Sequence, residues 1–371
     1  MTPGKNTVQQ LLALADIKIN GTRPWDIKVH DERVYQRVLR HRELGLGESY
    51  MDGWWSSDRI DEMIARLLNA DIQSKLTVSP ELIWSYLRGR LSNRQSLKRA
   101  GRNAEHHYNI GNDLFERMLD KRMAYSCAYW ENAKTLDAAQ EAKLDLICRK
   151  LQLKKGMTML DIGCGWGSLT GYAAEKYGVR VTGITPAAEQ VALARERTKR
   201  LDVTILQADY RKVTGTYDRV VSVGMLEHVG SKNYRTFFER SKELVKPDGL
   251  ILHHVIGATH TTRATDPWTD KYIFPGGHIP SLKELTSAVE NRLIIEDVHN
   301  FGPYYDKTLM AWHANFVKHY PEIKDHYDDR FYRMWTYYLL SCAGAFRARQ
   351  LQLWQIVLRP MGELPVYQSV R

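Results

Sequence analysis

Asp161, Gly163, Gly165 and Gly167 have the types and spacing to bind a ligand. Glycines let the backbone turn sharply and let a ligand come close. The dinucleotide fingerprint G-x-G-x-x-G puts a pyrophosphate on a helix N-terminus. Here the glycines alternate and an acidic residue precedes them. That carboxylate would repel a pyrophosphate and suits an ammonium group instead. A strand-to-helix turn without a ligand is the plainer alternative. A second group of residues, Glu227, His228 and His254, closes two later apolar runs. At the carboxyl edge of a parallel sheet such residues lie where ligands bind. Taken singly, His254 would more often be a core histidine, and His253 beside it is expected on the other face.

These residues need a sheet to hold them. Met157 to Ile162 reads as a buried parallel strand, and Ser168 to Tyr177 as the helix after the glycine turn. Strands are expected at Val179–Ile184, Val203–Leu206, Tyr217–Val223, Leu250–Val255, Ile294–His299 and Gln352–Leu358. Helices are expected at Leu136–Leu151, Ala187–Arg200, Asn233–Leu244 and Ser281–Asn291. Pro247-Asp248-Gly249 is a turn signal, and helix resumes from Leu309 to Arg347 with a break near Pro321. The alternation of strand and helix predicts a doubly wound α/β sheet.

Residues 1–100 read as a separate, mostly helical module, with a boundary near Lys98 to Asn103 and a catalytic domain over 101–371. Helices are expected at Thr7–Ala15, Val34–Arg42, Asp61–Asn69 and Pro80–Leu91, and a short strand at Ile27–Val29. Gly45 to Trp55 is expected to be a tight loop presenting Trp54 and Trp55, although core packing suits at least one of them. Arg88, Arg90 and Arg94 lie among aromatic residues, as at an anionic bilayer surface; a solvated linker helix would look the same.

The 371 residues carry a net charge of +10 with ten tryptophans and twenty tyrosines. Such charge seeks an acidic partner, and the aromatic rings tilt the expectation from nucleic acid to lipid. A merely basic protein is the alternative. No apolar run is long enough for a membrane helix, and the first ten residues lack a signal-peptide core. The four cysteines have no zinc-like spacing, so no metal site is expected and a reducing, cytoplasmic setting fits.

The glycine turn resembles motif I of class I S-adenosylmethionine (SAM) methyltransferases. Beyond it, nearly the whole chain resembles the cyclopropane-fatty-acyl-phospholipid synthases. The matching stretches are Gly45–Trp55, His107–Phe115, Tyr125–Trp130, Asp161–Gly167, Thr185–Gln190, Ser222–Gly230, Tyr272–Pro275 and Cys342–Arg347. The resemblance implies a Rossmann-like class I fold with a seven-stranded sheet and a small, mostly helical N-terminal domain. It implies a methylene transfer from SAM to the cis double bond of acyl chains in membrane phospholipids, through a carbocation. Binding of SAM is then expected at Tyr125, Ser126, Asp161, Gly163, Gly165, Gly167, Thr185, Gln190, Ala208 and Asp209. Thr185 stands where most such enzymes have an acidic residue, and Ala208 where relatives often have Gln; Gln190 can supply the ribose hydrogen bonds.

The same resemblance implies a bound bicarbonate as the base, held by Cys127, Glu227, His254, the Ile256 backbone and Tyr305. A buried Glu227 beside an anion would keep its proton and donate it in a hydrogen bond. Cys342 matches a cysteine once regarded as a nucleophile, but Ala343, Gly344 and Ala345 beside it favour a structural or pocket-lining role. Tyr125, Tyr129, Tyr234, Tyr272 and Phe274 are candidates to stabilise a cation, or ordinary core residues. A homodimer at the inner membrane surface, with no nucleic acid, completes the expectation.

Overall fold

A computed structural model describes residues 4–72, 111–262, 265–363 and 365–371. The expected Pro80–Leu91 helix, Arg88, Arg90, Arg94 and the Lys98–Asn103 boundary lie outside the described residues. The chain forms two compact units. One draws on Met1–Ser92, Arg263–Pro275 and Tyr305–Leu351; the other on Asn93–Thr262, Gly276–Tyr304 and Gln352–Arg371. This grouping differs from a linear division at residue 100. The physical reason is visible in the first unit, where the Asp329–Arg347 helix packs closely on an N-terminal helix.

In that first unit, α1 (Lys5–Leu14), α2 (Arg33–Met51) and α3 (Ile60–Asn69) accompany a two-residue antiparallel pair, β1 (Lys28–Val29) and β2 (Trp55–Ser56). Its core is built on large rings: Trp55, Trp268, Trp312 and Trp335 are all fully buried. The expected Gly45–Trp55 loop is instead mostly helix. α2 breaks at Arg42 (φ +48°) and then continues to Met51. Gly45 and Gly47 serve close packing. A Cβ on Gly47 would stand 2.4 Å from the Trp268 ring, and one on Gly45 2.3 Å from the Arg37 carbonyl oxygen. The turn falls at Gly53, where φ is +76°. Trp55 is the core residue; Trp54 is half-buried under the Arg33 and Arg37 guanidinium groups.

The second unit holds a seven-stranded sheet in the order β5-β4-β3-β6-β7-β9-β8. The strands are β3 (Thr158–Ile162), β4 (Arg180–Thr185), β5 (Val203–Gln207), β6 (Tyr217–Val223), β7 (Val245–Ala258), β8 (Leu293–Asn300) and β9 (Leu351–Pro360). β5, β4, β3, β6 and β7 run parallel, and β8 pairs with β9 antiparallel. From β3 the chain moves outward through β4 and β5, then returns to β6 on the other side. The carboxyl ends of β3 and β6 therefore flank a topological switch point, where such sheets bind ligands. Pro247-Asp248-Gly249 bulges within β7: Tyr217 pairs with Val245, yet Arg219 pairs with Leu250.

Each sheet face has its own core. Leu160, Ile162, Val220, Ile251 and Ile356 share one with Phe237 and Phe238 of the Tyr234–Leu244 helix. Met159, Val181, Val221, Leu252 and Val357 share the other with Leu144, Ile147 and Cys148 of the Leu136–Lys150 helix. Thr135 caps that helix, its hydroxyl accepting from the Ala138 N–H. By the strand's two-residue alternation, Asp161, His254 and Ile256 face this second side.

Candidate active site

The glycine turn is built as its residue types require. Gly163, Gly165 and Gly167 all have positive φ (84°, 53° and 83°), which L side chains rarely adopt. A Cβ on Gly163 would press on Met225 at 3.0 Å, so the loops after β3 and β6 approach closely there. The Gly163 and Cys164 N–H groups donate to the Ile184 carbonyl, tying the turn to β4. Thr185 and Gln190 meet directly: the Thr185 hydroxyl donates to Gln190 Oε1 at 2.7 Å, and both are buried. The Ala208 N–H donates to the Thr185 carbonyl, so Ala208 joins the group through its backbone. Asp209 accepts from the Arg211 N–H and guanidinium; burial would raise its pKa, but Arg211 outweighs this and holds it low.

Tyr125 and Ser126 lie on a strap that reaches the same edge. The Tyr125 ring packs on Phe115, and Phe115 on Trp166 of the glycine turn. Gln140 Nε2 donates to the Ala124 and Ser126 carbonyls and pins the strap to the Leu136–Lys150 helix. Asp161 is buried under the turn, where its Oδ2 accepts from the Thr170 hydroxyl at 2.9 Å. Burial pushes its pKa up to about 6. Through this bond Asp161 secures the next helix.

The second set gathers around the ends of β6 and β7. Val223 pairs with His254, and the Gly224 N–H donates to the His254 carbonyl. The chain then folds back so that Glu227 Oε1 accepts from the Ile256 N–H at 2.7 Å. The Ile256 amide is thus taken by Glu227. Glu227 Oε2 is buried and has no partner among the described residues. Burial raises the Glu227 pKa to about 7, against the pull of the Ile256 amide. His254 Nδ1 lies 3.3 Å from Gln355 Nε2, while its Nε2 is buried with no partner among the described residues. Burial drives the His254 pKa well below its usual value, so the ring is neutral. With the Gln355 amide donating to Nδ1, the ring proton sits on Nε2. His253 packs on the opposite face between Phe237 and Phe238, as expected.

Cys127 is wholly buried, its Sγ donating to the Ala128 carbonyl. It and His254 both lie in the field of Lys143, a buried lysine that the sequence reading passed over. The signal was present: Lys143 occupies the helix's core-facing stripe with Ala139, Leu144 and Ile147. Tyr305 and Cys342 belong to the first unit. Tyr305 packs on Phe346 and Trp312. Cys342 lies in the Asp329–Arg347 helix, its thiol pushed up to about 12 by burial. A Cβ on its neighbour Gly344 would stand 2.5 Å from the Asp61 carbonyl, so the small residues there serve helix packing. Tyr129 and Tyr234 are buried; Tyr272 donates its hydroxyl to Glu48 and Phe274 packs on Tyr338.

Sheet order, glycine turn and switch-point site together define a class I SAM-dependent methyltransferase fold. The family model described as Mycolic acid cyclopropane synthetase matches residues 95–356, and the chain belongs to that family. The cyclopropane-fatty-acyl-phospholipid synthase of Escherichia coli (strain K12) is 52% identical over 351 residues, covering 94% of this chain and 91% of that one. Among solved structures, mycolic acid cyclopropane synthase CmaA1 complexed with SAH and CTAB superposes with a TM-score of 0.65 at 31% identity, over 70% of this chain and 97% of that one. Coclaurine N-methyltransferase, bound to N-methylheliamine and SAH, gives 0.70 at 23% identity, over 85% and 98%, a likeness of fold. The protein is accordingly an enzyme of the SAM-dependent methyltransferase class.

Proposed function

We propose that this enzyme moves a methylene group from SAM to the cis double bond of an unsaturated acyl chain in a membrane phospholipid. The observation that carries the finer mechanism is the pair of partnerless buried atoms, Glu227 Oε2 and His254 Nε2. Buried polar atoms rarely go without partners. Both belong to groups that are neutral at pH 7 or close to it, and both can donate when protonated. A small oxyanion such as bicarbonate fits two donors of this kind, and the Glu227–Ile256 hydrogen bond sets the Ile256 backbone beside one of them. When bound, bicarbonate supplies a base.

An alkene is a weak nucleophile, so the site must align it with the sulfonium methyl. Attack on that methyl leaves a carbocation on the acyl chain. Loss of a proton from the new methyl then closes the ring. Water must be kept out, because it would trap the cation. In this reading Glu227 and His254, joined by Cys127, hold the proton acceptor in place. Membrane association, supported by the +10 charge, belongs to the same reading, as does the homodimer that the family resemblance implies.

The test is direct. The enzyme is incubated with SAM and monounsaturated phospholipid vesicles, and the acyl chains are analysed by mass and proton resonance. A gain of one CH₂ with loss of the olefinic signals is expected. A CH₂ gain that retains an olefin would mean methylation without ring closure, and no gain would refute the reading. In the same assay Glu227→Gln is expected to abolish ring formation, lowering turnover about a hundredfold or more, while SAM still binds. Full activity in that variant would discredit the anion site.

A further inference from the structure

Lys143 stands out among the buried groups of the second unit. Its side chain is 1% exposed, and its Nζ donates to Ser126 Oγ at 2.6 Å. An ammonium has three donors. Ser126 takes one, and no ion pair with a described carboxylate accompanies it. A buried charge left so lightly partnered is costly, and such groups concentrate at functional sites. The groups that face it electrostatically are Asp120 and Cys127 on the strap, Asp161 on β3 and His254 on β7. Its charge thus bears on the strap, on Asp161 ahead of the glycine turn and on His254.

The hydrogen bond also settles what Ser126 can do. A hydroxyl has one donor and two lone pairs. Lys143 occupies a lone pair, so the Ser126 proton points elsewhere and seeks an acceptor. The adjacent ammonium polarises it further. A carboxylate-type anion is the matching partner, and its charge is the one the ammonium lacks.

We propose that Lys143 is a positioning residue whose buried ammonium turns the Ser126 hydroxyl into a donor for a carboxylate-type anion and supplies that anion's countercharge. This rests on the proposed function, which brings two such groups: the amino-acid carboxylate of SAM and bicarbonate. Burial lowers the Lys143 pKa to about 8, with Asp120, Cys127 and Asp161 pulling it back up. Binding of the anion accordingly weakens as pH rises through about 8, when the ammonium loses its proton.

Lys143→Met tests this, with folding checked by far-UV circular dichroism. SAM affinity is measured by calorimetry, and turnover is followed against added bicarbonate in carbon-dioxide-depleted buffer. If the SAM carboxylate is the partner, the SAM Kd rises about tenfold and the bicarbonate requirement stays put. If bicarbonate is the partner, the pattern reverses. In either case Ser126→Ala weakens the same ligand, by less than Lys143→Met, and the two effects are not additive. A folded Lys143→Met enzyme with both dependences unchanged overturns the proposal. Should that variant not fold, the wild type is compared across pH with Lys143→Arg, whose guanidinium keeps its charge through pH 8. The wild-type affinity should fall through about pH 8 and the variant's should not; two identical profiles overturn the proposal. A wild type that neither binds SAM nor adds CH₂ would instead refute the proposed function, on a separate readout.

Discussion

At Glu227 burial and hydrogen bonding oppose each other, and burial wins. Its pKa of about 7 leaves the carboxyl half-protonated near neutrality. Only the protonated form donates to an oxyanion, so turnover at saturating SAM should fall as pH rises through about 7. A rate that climbs steadily through that range would contradict the assignment. Stability follows the same sign. The folded state keeps a proton that the unfolded chain releases above about 4.5, so stability is lost between about pH 4.5 and 7. The loss has an upper bound of about 3 kcal/mol. Glu227→Gln removes it, so the variant should gain on the wild type in urea titrations at pH 8 compared with pH 5. Glu227 and His254 were singled out through the family resemblance, and their place at the ends of apolar runs sets them at the sheet's carboxyl edge. Lys143 was passed over, because a lysine within a helix reads as solvated unless its place on the apolar stripe is weighed.

The glycine turn and its helix, Ser168–Tyr177, were legible to the residue, since strand, turn and helix each carry a local signal. Gly45 and Gly47 were not. Glycines in sequence signal turns, but here they admit Trp268 and the Arg37 carbonyl. Gly47→Ala should therefore lower stability by about 1–3 kcal/mol, despite alanine's better helix propensity. Thermal melting checks this, and an unchanged or higher Tm would show that the ring can move aside. The expected Leu309–Arg347 helix is two helices, Pro303–His319 and Asp329–Arg347, with short 3₁₀ turns around Pro321. Proline's missing N–H made that break foreseeable. The start at Pro303 rather than Leu309 was harder to see, because proline suits a first helical turn as well as a loop.

Across the whole molecule the +10 charge makes a prediction of its own. Binding to vesicles with anionic lipid should weaken at least about tenfold between low and physiological salt, because each surface cation contributes about 1 kcal/mol that ions screen. Sedimentation with lipid measures this, and salt-independent binding would point to apolar insertion instead. No helix of the described residues is long and apolar enough to cross a membrane.

By itself the sequence determined the sheet, the glycine turn, the chemistry-bearing residues at the strand ends and the family, all of which rest on neighbours along the chain. Tertiary structure alone decided that Glu227 reaches back to the Ile256 amide, that Lys143 turns inward to Ser126, and that the Asp329–Arg347 helix joins the N-terminal unit. Those outcomes depend on which distant segments share a low-dielectric interior. Burial of that kind sets protonation and pairing, and no local pattern of residues encodes it.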